Sequence, residues 1–438
     1  MKRLSTLGLL GVAGIAAIGI FLLLTSRSSP PVPSAAFAVA HPVDETQRVA
    51  VPEPTPLAMQ YYRSGNWLWI LAQAWAILLP ATLAFSGASA RLRDVATKLG
   101  RRWFFTVGLF VVMYLAIVFL MSLPFTFYLG YARQHAYGMS NQTVGRWLGN
   151  SLIGLGVDAV IAFLFAWVPY LLIAKSPRRW WIYTAAVVIP FLFAGAFIKP
   201  IWIDPLFNHF GPMKNKALEQ SILSLAARAG IEGSRVFEVD KSVDTRAVNA
   251  YVTGLFDTKR IVLWDTIIAR LDENELLVVM GHEMGHYVLG HVARSILLSS
   301  VVILAGLYLV DRLGRRCIAR FSGRLGFDSL ADVASVPLLL MLIEVSMLLL
   351  SPVAMAYSRF QEHEADRFAL ELTHMNYSGA MAFVTLQTEN LGNPRPDWFF
   401  RLLRSTHPST GERIDFCNQY RPWFDGPANA ESTRSLDR

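Results

Sequence analysis

The residues with the most chemistry in them are HEMGH, His282 to His286. Histidines at i and i+4 share one face of a helix, so both imidazoles can hold one zinc ion. Glu283 sits one residue on, turned by about 100°, and from there reaches a water beside the two ligands. Its expected work is that of a general base, which later passes the proton to the leaving amine. Zinc would lower the pKa of that water toward 7 and polarise the scissile carbonyl. Taken alone the string is weak, because two helix-surface histidines give the same letters. The context strengthens it: Asp272 and Glu275 flank the helix start in capping-box spacing, an apolar run follows, and a third ligand lies downstream.

That ligand comes from SRFQEHEADRFA, 358–369, which should be helical. Glu362 and Asp366 are i and i+4 and share a face, with Glu364 pointing away from it. Glu362 is assigned as the ligand and Asp366 as the acceptor for a ligand histidine N–H, which leaves a fourth position for water. By itself this stretch would read as a charged helix face. His291 is one position off the HExxHxxGxxH pattern, since Leu289 and Val292 stand where that pattern needs Gly and His, so it reads as structural or as support to a ligand. In THPSTGERI, 406–414, His407 can stabilise an oxyanion, and Arg413 can hold His407 or pair with an acid.

The elements that must position these groups are mostly helical. A helix over 273–294 carries HEMGH, and an amphipathic helix over 214–229 is closed by Gly230. Short strands are expected at 235–240, 248–254 and 259–264. A peptide that added to the edge of the 248–254 strand would have its scissile bond held over the metal, which makes Ala250 and Tyr251 expected substrate-binding residues.

Around these segments lie seven apolar runs: 7–24, 67–86, 103–124, 152–174, 180–198, 296–310 and 333–355. A helix needs about 20 apolar residues to cross a bilayer core, so the run at 296–310 must be extended or tucked against its neighbours. Of the 438 residues, 53% are hydrophobic and 16% charged, which excludes disorder as the main state and an ordinary soluble enzyme. The first run follows Lys2 and Arg3 and reads as a retained helix rather than a signal peptide; 25–56, rich in Pro, Ser and Ala, reads as a flexible linker. Fifteen Lys and Arg fall within the 49 residues of segments 1–6, 87–102, 175–179 and 311–332. Only five fall within the 69 residues of the alternate loops 25–66 and 125–151. The positive-inside rule then places the N-terminus in the cytoplasm, and 199–295 and 356–438, with the zinc site, on the opposite face. The net charge of +8 is thus a topology signal that needs no nucleic-acid partner. Asp158 and Glu344 sit within apolar runs, which fits either a polar intramembrane cavity or a helix–helix hydrogen bond. Two cysteines, Cys317 and Cys417, build neither a disulfide framework nor a CxxC site.

The chain accordingly divides into an N-terminal membrane helix and linker (1–66), further membrane helices (67–198), a segment carrying HEMGH (199–295), two membrane helices (296–357) and a segment carrying the third ligand (358–438).

Together these residues resemble the type I CAAX prenyl endopeptidases, integral-membrane zinc metalloproteases, over nearly the whole chain. HAYGMSNQT (135–143), PLFN (205–208), NAYVTG (249–254), HEMGH, SRFQEHEAD and HPSTGER occur in that family's order. The resemblance implies His282, His286 and Glu362 as zinc ligands, Glu283 as base and Asp366 as support to a ligand. It places Asn249, His407 and Arg413 near the substrate or transition state. It also implies a predominantly α-helical membrane protein: a barrel of seven helices around a hydrated chamber, capped by a zincin-like domain with a small sheet. The expected partners are a peptide or protein substrate, prenylated or membrane-embedded, and the lipid bilayer. Eukaryotic members trim prenylated proteins from the cytosolic side, whereas the charge pattern here puts the zinc on the other face, which favours membrane or misfolded proteins as substrates. The competing readings are a non-catalytic membrane scaffold that kept the fold, and a transporter, which leaves HEMGH and SRFQEHEAD unexplained.

Overall fold

The computed structural model describes residues 43–231, 235–253 and 260–425. The apolar run at 7–24 lies outside them.

The membrane part begins with α1 (Pro56–Phe85), where the Thr55 side chain accepts from Ala58 N and a proline occupies the first turn. The basic stretch after it is itself a helix, α2 (Ala88–Gly100). Next comes α3 (Trp103–Phe127), which continues through a π-turn (Tyr128–Ala132) to Ala136, well past the expected 124. Then α4 (Val144–Phe165) runs on into α5 (Trp167–Lys175), followed by α6 (Trp180–Ile198). Five helical spans among the described residues are long and apolar enough to cross a membrane, and a sixth is formed if Trp180–Gly195 and Lys199–Leu206, bent by 49°, are one span.

A four-stranded sheet follows, in the order β1 (Phe210–Pro212), β2 (Arg235–Val239), β4 (Arg260–Trp264), β3 (Ala250–Thr253). The pair β2/β4 is parallel and the other two pairs are antiparallel. Helix α7 (Lys216–Arg228) lies between β1 and β2 in sequence. All three expected strands are present, while β1 carried too little apolar pattern to be read. Because β3 pairs only with β4, through Tyr251↔Val262 and Val252↔Ile261, its other edge is open among the described residues.

The expected helix over 273–294 is two helices. The first, α8 (Glu273–Val288), has the capping box of Asp272 and Glu275, and it stops where Gly290 takes a left-handed φ of 68°. Glycine reaches that region without a Cβ clash, so the chain turns and α9 (His291–Leu325) starts afresh. This is how the fifteen-residue run at 296–310 is extended. The last long helix, α10 (Val336–Thr373), carries an apolar membrane half and SRFQEHEAD on one rod. After it come α11 (Asn376–Glu389), α12 (Trp398–Arg404) and α13 (Thr410–Gln419).

Residues 43–55, expected within a flexible linker, are pinned to the C-terminal segment. Val49 exchanges hydrogen bonds with the Asn418 side chain (2.9 and 2.8 Å), and Glu45 accepts from Ser378 N (3.0 Å). Val49 and Val51 pack on the cluster of Phe383, Ile414 and Cys417. Asp158 and Glu344 are both exposed on their helices.

Candidate metal centre

Two helices build the site because glycine lets them close on each other. A Cβ on Gly285 would lie 3.1 Å from Phe368 and 3.3 Å from the Ala365 backbone, tighter than ordinary contact; one on Gly281 would lie 3.4 Å from Ala369. So α8 lies against α10 at the turns that carry the histidines and the carboxylates. Behind them Leu277, Met280, Met284 and Phe368 pack with Ile261 and Leu263 of β4 into one core. Each such buried side chain contributes about 2 kcal/mol, which fixes the helix beneath the site.

His282, His286 and Glu362 converge as the sequence predicts. The two Nε2 atoms are 3.1 Å apart, His282 Nε2 is 3.2 Å from Glu362 Oε2, and His286 Nε2 is 3.4 Å from Glu362 Oε1. Tetrahedral zinc with arms of ~2.05 Å spaces its ligands by about 3.3 Å, so the triangle fits such an ion. Glu362 Oε2 is buried and lacks a hydrogen bond, as a metal-facing oxygen would.

Asp366 and Arg413 stand behind His282. Asp366 Oδ1 lies 2.8 Å from His282 Nδ1, and Arg413 holds the same carboxylate with a two-pronged fork, Nε to Oδ2 at 2.8 Å and Nη2 to Oδ1 at 2.5 Å. Of the two partners expected for Arg413, the acid is the one observed. Burial and the Arg413 charge favour neutral His282, yet Asp366 and Glu362 prevail and push it up to about 10. A cation entering the site therefore competes with a proton on that ring. His286 is backed differently: its Nδ1 lies 2.8 Å from His291 Nδ1, and His291 Nε2 lies 3.5 Å from Glu364, which also meets Arg294. His291 is thus in direct contact with one of the three converging side chains.

Glu283 is half-buried, and burial raises its carboxyl pKa despite the neighbouring histidines. It lines a cavity of about 290 Å³ with Asn249, Ala250, His282 and His407. A larger one of about 790 Å³ adjoins it, lined by Asn249, Tyr251, His286 and Lys241. His407 reaches over the site, with Nε2 3.3 Å from Glu362 Oε2 and Nδ1 2.7 Å from the Thr406 hydroxyl. Sequence reasoning did not single out Arg133 and Arg404, which sit just beyond His407; neither belongs to a local pattern that would have marked it.

Family models place the chain. That of peptidase family M48 matches residues 212–420, and that of the CAAX prenyl protease N-terminal region, five membrane helices, matches residues 45–209. The uncharacterized metalloprotease YhfN of Bacillus subtilis is 37% identical over 364 residues, covering 83% of this chain and 85% of that protein. This chain belongs to peptidase family M48. The CAAX prenyl protease 1 homolog of Dictyostelium discoideum is 31% identical, covering 70% of each chain. The crystal structure of S. mikatae Ste24p superposes with a TM-score of 0.72 at 22% identity, covering 93% of this chain and 96% of that one, and so shares the fold. The M48 chain is a multi-pass membrane metalloendopeptidase, and the expected kinship with the CAAX prenyl endopeptidases holds.

Proposed function

We propose that this M48 chain is a zinc-dependent endopeptidase that cuts membrane or misfolded proteins at the non-cytoplasmic face. The observation that carries the reading is the triangle of His282, His286 and Glu362, with Glu283 lining the same cavity as His282. Bound zinc would supply Lewis acidity to the scissile carbonyl and to the attacking water.

The chain's own residues do the rest. Glu283 accepts the water's proton and returns it to the leaving nitrogen; its raised pKa brings it toward the range where both transfers are easy. His407 Nε2 faces the Glu362 carboxylate at 3.3 Å, which favours the proton on Nε2 and leaves Nδ1 to accept from the Thr406 hydroxyl 2.7 Å away. From Nε2 His407 donates to the carbonyl oxygen as its charge grows. Asp366 and Arg413 hold the His282 ring, and a substrate strand lies on the open edge of β3 at Ala250 and Tyr251, with Asn249 at its end.

The test is Glu283→Gln, which keeps the side-chain shape and removes the base. Turnover of a peptide drawn from a membrane protein is expected to fall by about 10³-fold with metal content unchanged.

A further inference from the structure

A cavity of about 370 Å³ lies beyond His407, sharing His407, Pro408 and Gly392 with the cavity that holds Glu283. Two guanidiniums face it, Arg133 from the continuation of α3 and Arg404 from the end of α12. A Cβ on Gly65 would lie 3.2 Å from Arg133 Nη2 and 3.9 Å from Arg404 Nη1, so a single spot on α1 has both groups close by. Arg133 is only 6% exposed. Its partners are neutral: Nη2 donates to Tyr61 O (2.6 Å) and Ser64 Oγ (3.2 Å), and the guanidinium stacks 3.9 Å over the Tyr61 ring. Its Nε is buried with no acceptor. Arg404 Nη1 donates to the Asn66 amide oxygen, again a neutral group. Neither arginine forms an ion pair with a carboxylate among the described residues.

Buried charges are normally paired, yet Arg133 is buried with neutral partners only, and the exposed Arg404 sets a second like charge beside it. A purely structural clip at Tyr61 and Ser64 would need one neutral donor, not two cations. Paired guanidiniums match a planar carboxylate through parallel N–H···O bonds. We propose that Arg133 and Arg404 form an anion subsite that takes a carboxylate of the peptide substrate, its free C-terminus or an acidic side chain, on the far side of His407 from the scissile bond. The apolar walls given by Phe400, Leu391 and Pro396 suit the residues next to that carboxylate. This rests on the endopeptidase reading above.

The experiment uses full-length protein in detergent and a fluorescein-labelled apolar hexapeptide, made as free acid, as carboxamide, and as carboxamide with Asp or Glu at each of the last three positions. Binding is read by anisotropy on Glu283→Gln, and cleavage on the wild type. Amidation is expected to weaken binding by about 10- to 100-fold, and Arg404→Gln, at the exposed mouth, to bring the free acid to the level of the amide. Rescue by an internal Asp or Glu assigns the carboxylate to a side chain; rescue by none assigns it to the C-terminus. Equal binding of acid and all amides, or unchanged discrimination in Arg404→Gln, overturns the subsite. Tight, acid-selective binding with no cleavage by the wild type would instead count against the endopeptidase reading and leave the subsite standing.

Discussion

The two histidines of the candidate metal centre are held by unlike partners. His282 has a carboxylate and an arginine behind it, while His286 has a second imidazole. If His286 Nε2 faces the metal, its Nδ1 carries the proton and donates to His291 Nδ1. His291 must then be protonated on Nε2, the nitrogen that faces Glu364. Replacing His291 by Ala removes the first link of that chain. The expected result is zinc affinity about 10- to 100-fold weaker in a chelator competition. Equal affinity in mutant and wild type would make His291 a packing residue only. That His282 and His286 share a face was legible in the sequence because i, i+4 spacing sets a shared helix face whatever the tertiary fold. The contact with His291 was not, because it depends on the turn at Gly290, where one helix ends and the next begins.

Among the elements, α8 joins a strong cap to a buried load. Asp272 accepts from Glu275 N at 2.8 Å, and Glu275 Oε2 accepts from Asp272 N at 3.3 Å. Glu275 is 7% exposed, and burial, followed by the nearby Asp272 charge, pushes its carboxyl up to about 7. The raised value means that the fold prefers the protonated form. Below the unfolded value near 4.5 both states are protonated and nothing is lost. Stability falls as pH rises from there to about 7 and is level above. Glu275→Gln keeps an acceptor for the cap without the charge. It should raise the melting temperature by about 2 °C or more at pH 8 and leave it unchanged near pH 4.5; an equal shift at both would point to packing instead. Helix type was readable from capping and periodicity, but helix ends were less so. The apolar runs mark only the lipid-facing part of each rod, so α1, α3 and α10 continue past them with polar residues that the hydropathy pattern does not capture.

At the scale of the molecule, a hub at Asp244 adds to the ties between the membrane helices and the catalytic segments. Asp244 accepts from Arg146 at 2.5 Å and from Asn208 at 2.7 Å, and its backbone oxygen accepts from Ser140 at 2.9 Å. Burial works against the Asp244 charge, yet Arg146 and Asn208 hold its pKa below the usual value. This hub joins the HAYGMSNQT and PLFN segments, which sequence reasoning could name only by resemblance. The docking of 43–55 on α11 and α13 was likewise invisible, because an extended segment held through Glu45, Val49 and Val51 has no periodicity to read. Orientation is a whole-molecule property, and the basic helix α2 and the arginines of α9 carry it. A C-terminal tag is expected to label with an impermeant reagent from outside intact cells; labelling only after the membrane is opened would reverse the assignment.

The most direct check of the central claim is hydrolysis of a membrane-protein peptide by full-length wild type and Glu283→Gln, with zinc quantified in both. The account predicts one zinc per chain in each protein, cleavage by the wild type, and about 10³-fold slower cleavage by the variant. Wild-type protein without stoichiometric metal, or a variant that cuts as fast as wild type, would contradict it.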